Sequence, residues 1–189
     1  MVDSVLLLVD AVDGPMPQTR FVTSKAFERG LNPIVVVNKI DREGARPDWA
    51  VDQIFDLFDA LGANESQLDF PVVYTSAVLG IAGDDPATMA EDMTPLFEAI
   101  ERHVPAPDVD IDGPLQLQIS ALDYSSYVGV IGVGRVTRGS VKGNIAVTIV
   151  NREGDTRPGK ILQVMGYDGL ERTEVSSADA GDIVCVTGI

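Results

Sequence analysis

The sequence predicts an α/β half followed by an all-β half, the first over residues 1–106 and the second over 107–189. Three observations carry this. Short, unbroken apolar runs alternate with segments of helical period in the first half, the pattern of parallel strands covered on both faces. In the second half the period falls to two and Gly-rich turns separate the runs, which predicts a closed or nearly closed barrel. Between them lies VPAPDVDIDGP (Val104–Pro114), whose prolines, acids and Gly-Pro have the composition of a linker.

The elements follow in order. SVLLLVDA (Ser4–Ala11) is the first strand of the buried type. A helix is expected from Pro17, a residue suited to a first helical turn, to a stop at Gly30. PIVVVNK (Pro33–Lys39) is the second strand. Val51, Ile54, Phe55, Phe58 and Leu61 recur at helical spacing before Gly62, and Trp49, Phe55 and Phe58 are expected to pack this helix on the sheet. PVVYTSA (Pro71–Ala77) is the third strand, and Thr94–Val104, with Leu96, Phe97, Ile100 and Val104, is the last helix. Beyond the linker LQLQIS, YVGVIGVGRV, IAVTIV and DIVCVTG read as strands, with no helical stretch and no internal repeat.

Composition limits the function classes. A chain of 189 residues that is 45% hydrophobic has enough apolar surface for a core in each half. The runs Val5 to Val9 and Ile34 to Val37 are too short to cross a bilayer, so no membrane partner and a cytoplasmic location are expected. The single cysteine, Cys185, cannot form an internal disulfide and is expected in the core. A net charge of -15 argues against DNA and against any non-specific grip on nucleic acid. The charge is uneven, with 7 Lys+Arg against 18 Asp+Glu in residues 1–107 and 7 against 11 in 108–189. A polyanion is therefore expected to meet the second half, where Arg135, Arg138 and Lys142 flank a turn in GRVTRGSVK.

The chemistry concentrates in VVVNKID (Val35–Asp41). Asn38-Lys39-Ile40-Asp41 follows a buried strand directly, the place where α/β sheets present ligand-binding residues. The Asp41 carboxylate offers two acceptor oxygens that match the adjacent N1–H and N2–H2 donors of guanine. Adenine, with an acceptor at N1 and no amine at C2, would leave that carboxylate unpaired. The Lys39 stem can lie along the flat face of a base with its ammonium in water, and Asn38 can brace the neighbouring loops. At the end of the next strand, in Thr75-Ser76-Ala77, the Ala77 N–H can donate to the guanine carbonyl and Ser76 can orient Asp41.

Other patterns carry less. No G-x-x-x-x-G-K-[ST] phosphate loop is present, and Gly129, Gly132 and Gly134 fall within a β pattern, where they serve turns or close packing. Asp10-Ala11-Val12-Asp13-Gly14 has the wrong spacing for an Asp-x-x-Gly contact to a phosphate. Asp108-x-Asp110-x-Asp112-Gly113 opens like a calcium loop, but Ile119 stands where a bidentate Glu is needed and Pro114 follows the glycine. His103 has no nucleophile or orienting acid patterned around it.

Taken together, SVLLLVDAVDGPMPQTRFV, NKIDREGARPDW, QLDFPVVYTSAVLGIAG, HVPAPDVDIDGP and LDYSSYVGVIGVGRVTRGSVK resemble the translational GTPases over essentially the whole chain. The resemblance implies a partial P-loop GTPase sheet, three parallel strands with helices, followed by a β-barrel of the translation-factor domain 2 type. It implies that Asn38, Lys39 and Asp41 contact the guanine of GTP or GDP and that Ser76 and Ala77 complete the pocket. In that family the phosphate loop, both switches and a catalytic histidine precede the strand matching SVLLLVDA. This chain is therefore expected to be a piece without catalytic residues or Mg2+ ligands, inactive in GTP hydrolysis alone. The partners implied are ribosomal RNA and ribosomal proteins, with Arg138 and Lys142 as candidate phosphate contacts. The Ser4–Ala11 strand is expected to leave an apolar edge that self-association or a shifted segment hides. The competing expectation is a ribosome-binding module, a barrel with an α/β cap, that uses no nucleotide.

Overall fold

The computed structural model describes residues 1–189 as two units, Val2–Ala106 and Pro107–Ile189, with Met1 grouped with the second. In the first, β1 (Val5–Asp10), α1 (Pro17–Phe27), β2 (Pro33–Asn38), α2 (Pro47–Ala60), the short helix α3 (Glu65–Leu68), β3 (Val72–Ser76), β4 (Ile81–Gly83) and α4 (Thr94–His103) follow one another. The strands form one sheet in the order β1-β2-β3-β4. The first three run parallel and β4 is antiparallel to β3.

The unbroken apolar character of β2 follows from its place in this sheet. Every residue from Pro33 to Val37 is buried, and only at Asn38 does the strand emerge. Val35 and Val37 join Leu7, Val9, Ala50, Ile54 and Phe58 in one core, whereas Ile34 joins Val73, Ala82 and Ala99 in another. Both faces are covered, so neither needs a polar residue. Phe58 anchors the first core, meeting Phe27 and Phe70 edge-on at centroid distances of 5.0 and 4.9 Å. Full burial of such a side chain contributes about 1.5–3 kcal/mol.

Two expectations about packing are corrected. Phe55 is 48% exposed, because α2 turns Ala50, Ile54 and Phe58 inward and the intervening aromatic outward. Phe97 on α4 is likewise exposed, Ala99 taking the buried position. The sequence reading also passed over β4 and α3. The latter is closed by reciprocal bonds: the Gln67 N–H donates to Asn64 Oδ1 and the Asn64 N–H donates to Gln67 Oε1.

The second unit contains β5 (Gln116–Ser125), β6 (Gly129–Arg138), β7 (Ser140–Lys142), β8 (Ile145–Val150), β9 (Thr156–Ile161), β10 (Val164–Asp168), β11 (Glu171–Glu174), β12 (Ser177–Asp179) and β13 (Ile183–Thr187). Five of them form an antiparallel sheet in the order β11-β10-β13-β6-β5, with β12-β7 and β8-β9 as separate pairs. Val136, Val141, Ile161, Val164, Ala178, Val184 and Val186 meet in one core. They come from six strands of all three sheets, so the sheets wrap a common interior. The outer strands of the five-stranded sheet are also joined, since Arg172 on β11 pairs with Asp123 on β5 at 2.7 Å. A flat sheet would hold those edges far apart, so the sheet curls towards closure. Gly134 permits the tight β5–β6 approach, where an added Cβ would lie 2.1 Å from the Gln118 carbonyl oxygen. Cys185 is buried on β13, and its thiol donates to the Tyr167 hydroxyl at 3.1 Å.

Candidate functional site

The parallel ladder fixes where the first unit can present chemistry. Asp10 pairs with Asn38 and Asn38 with Thr75, so three strands end side by side at these residues. Beyond them the apolar cover stops and polar side chains take over.

Asn38 ties the strand ends together. Its Oδ1 accepts from the Lys39 N–H at 2.8 Å, the Thr75 hydroxyl at 3.2 Å and the Ala77 N–H at 3.1 Å. The bracing role expected for this residue is thus what its side chain does here, while its amide nitrogen makes no bond within the chain. The main chain adds to the same junction: the Ala11 N–H donates to the Asn38 carbonyl at 2.9 Å and the Arg46 N–H to the Ala11 carbonyl at 2.8 Å.

Lys39 has a left-handed backbone, with φ 66. For a residue with a Cβ this costs about 1–2 kcal/mol, and it persists only where the surroundings hold it. Here the N–H is held by Asn38 and the carbonyl accepts the Arg42 N–H at 3.1 Å. The Lys39 side chain is exposed, and its ammonium donates to Asp10 Oδ2 at 2.7 Å. Asp10 is itself fixed, its Oδ1 accepting from the Val12 and Asp13 N–H groups at 2.8 and 3.4 Å. The Lys39 hydrogen bond, foremost, and these two N–H groups hold the Asp10 carboxyl below its ordinary value of 3.8, against the opposing effect of burial.

Asp41 stands out by contrast. It is exposed and has no hydrogen-bond or ion-pair partner within the chain. Ser76, expected to orient it, is fully buried, and its hydroxyl oxygen accepts the Leu79 N–H at 3.3 Å. Ser76 thus closes the turn after β3, and Ala77 lies exposed at the start of that turn. The Ala77 N–H, read as a donor to a ligand, points to Asn38 Oδ1 in this structure.

The structure therefore gathers Asn38, Lys39 and Ala77 around one amide oxygen, and Asp41 follows three residues after Asn38, exposed. It also adds residues that the sequence reading left out of the site: Asp10, Thr75 and Arg42, whose guanidinium lies 3.7 Å from Asp10 Oδ2. The signal for Asp10 was its register opposite Asn38, which shows only once strand pairing is known. Chemically, the arrangement offers a free pair of acceptor oxygens, an apolar lysine stem and an amide donor at one edge.

The remaining candidates lie elsewhere. Arg138 donates from Nε to the Pro114 carbonyl at 3.0 Å, and Lys142 is exposed on β7. The Asp110 carbonyl accepts the Gly139 N–H at 2.8 Å, which lays the acidic segment alongside the end of β6. His103 is exposed at the end of α4.

Comparison with known proteins places these observations. The Elongation factor Tu GTP binding domain family matches residues 1–106. The large ribosomal subunit assembly factor BipA of Escherichia coli strain K12 is 68% identical over the whole chain, that of Salmonella typhimurium 66% and that of Haemophilus influenzae 65%. The chain spans 31% of the length of each of these relatives. Among solved structures, a bacterial selenocysteine-specific elongation factor, EF-Sec, superimposes with a TM-score of 0.69 over 98% of this chain and 29% of its own, at 18% identity.

Proposed function

Because the chain belongs to the elongation factor Tu GTP-binding domain family, we propose that it reads the guanine of GTP or GDP within a ribosome-associated GTPase like the subunit assembly factors it resembles. One observation carries the reading: Asp41 stands exposed and unpartnered three residues after an Asn38 whose side chain bonds both strand-end loops. Two carboxylate oxygens against N1–H and N2–H2, the Lys39 stem along the ring and the Asn38 amide at its edge form a guanine-selective set. Adenine would leave Asp41 facing an acceptor. The Ala77 N–H completes the set by turning from Asn38 to the base carbonyl, and Ser76 supports it by closing the turn that carries Ala77.

The phosphates and Mg2+ find no partner of comparable quality in these residues. Asp10, the acid nearest in position, has its oxygens committed to Val12, Asp13 and Lys39, a poor fit for a metal ligand. Mg2+ would be held in an intact parent by residues other than these, and this chain alone should release no phosphate from GTP above a protein-free blank.

The second unit is proposed as the ribosome-facing part, with Lys142 and the guanidinium nitrogens of Arg138 reaching rRNA phosphates, in a cytoplasmic protein. The outer edge of β1 is proposed to pair with a second copy of the chain.

The guanine reading is tested by titrating the isotope-labelled chain with GDP and, separately, ADP while following backbone amide resonances. GDP should move Asn38–Asp41 and Ser76–Ala77, and ADP should not. No response of these residues to either nucleotide would favour the nucleotide-independent module, and equal responses to both would contradict guanine selectivity.

A further inference from the structure

We propose that Asp10 is a positioning residue of this base-reading edge: by holding the Lys39 ammonium, it fixes the course of the lysine stem on which the guanine ring would lie. The inference rests on the guanine reading above and adds a residue that contacts no ligand itself.

The geometry pins Lys39 at both ends. Its backbone is held in the left-handed region at φ 66 between the Asn38 side chain and the Arg42 N–H. Its ammonium is held 2.7 Å from Asp10 Oδ2. The stem between becomes a strut from the end of β2 to the end of β1. A free lysine loses much rotamer freedom when a ligand orders it, and a stem ordered beforehand spares that cost at the moment of binding.

Asp10 is a suitable anchor because it is not itself mobile. It closes β1 opposite Asn38 in the parallel register, and its other oxygen is held by the Val12 and Asp13 N–H groups. Its side chain is 14% exposed and that of Lys39 47%, so the carboxylate end is sheltered while water still screens the ammonium. Arg42, 3.7 Å away, is a second cation on the same carboxylate, and the Lys39 pair at 2.7 Å is the shorter contact.

Asp10→Asn separates this role from a merely structural one. The substituted side chain keeps an oxygen for the Val12 and Asp13 N–H groups and loses only the ionic anchor. Two readouts are needed on the 189-residue chain. In the first, reductive 13C-methylation labels the lysines, the Lys39 signal being the one absent from Lys39→Arg. It should be displaced from the free-lysine position in the unsubstituted chain and collapse onto it in Asp10→Asn. In the second, GDP affinity should fall about two- to tenfold in Asp10→Asn, the effect of freeing one ordered side chain. That loss should vanish when Asp10→Asn is placed on a Lys39→Ala background. A Lys39 signal unchanged by Asp10→Asn, an unchanged GDP affinity, or a loss that persists without Lys39 would each overturn the proposal. Should GDP fail to bind the unsubstituted chain, the guanine reading falls and this inference with it, whatever the Lys39 signal does.

Discussion

At residue scale the site is a contrast between two carboxylates at neighbouring strand ends. Asp10 is surrounded by donors and Asp41 by solvent. The difference decides what each can do, because an acceptor already satisfied within the protein gains little from a ligand, whereas a free one gains a partner. It also sets a pH dependence. The Asp10 carboxyl titrates below its ordinary value of 3.8 in the folded chain, so its pair with Lys39 contributes stability that is fully present above that value. As pH falls through the lower folded value, that contribution is lost. Thermal melting followed from pH 5 to pH 2 should therefore show a steeper acid loss for the unsubstituted chain than for Asp10→Asn. Parallel acid profiles would show that the pair contributes nothing. In the sequence alone the chemistry of Asp41 was legible from local spacing. The chemistry of Asp10 was not, because its partner is 29 positions away and becomes visible only through the β1–β2 register.

At the scale of elements, what could be read was what burial dictates. β1, β2 and β3 announce themselves as short apolar runs, and the run is unbroken in β2, where Pro33 to Val37 are all buried. β4 has three residues and α3 four, too few for any period to show. β9 (TRPGKI) and β11 (ERTE) are mostly exposed and carry no alternation, so only their partners define them as strands. The α2 pattern was ambiguous for a different reason. Five apolar residues in about three turns cover more than one face, and the period cannot say which of two phenylalanines three positions apart turns inward. The structure does, and the energetics should follow. Phe58→Ala should lower unfolding free energy by about 3–5 kcal/mol in urea titrations, as for other large-to-small core changes. Phe55→Ala should fall within about 0.5 kcal/mol of the unsubstituted chain, as for a surface change. Comparable losses for the two would place Phe55 in the core after all.

At the scale of the whole molecule, strong acidity is compatible with the rRNA partner proposed above because the charge is uneven, with 18 of the 29 acidic residues in positions 1–107. The proposed division of labour has the first unit read a base and the second meet the ribosome. No helix is long and apolar enough to cross a membrane. The sheet of the first unit ends at β1, whose outer edge has no proline or bulge and whose Leu6 and Leu8 are 38% and 60% exposed. Such an edge is a template for another strand. Sedimentation velocity across a concentration series should show reversible self-association that Leu8→Lys weakens. A monomer at every concentration would contradict the proposed pairing.

The central claim is that Asp41 selects guanine through its second acceptor oxygen, and one substitution tests it most directly. Asp41→Asn replaces that oxygen with an amide donor, which suits the C2 carbonyl of xanthine and opposes the C2 amine of guanine. GDP and xanthosine diphosphate affinities should be measured side by side for the unsubstituted chain and for Asp41→Asn. The substitution should weaken GDP about ten- to a hundredfold, the effect of one buried donor left unpaired, and turn the preference towards xanthosine diphosphate. An unchanged preference for GDP in Asp41→Asn would contradict it.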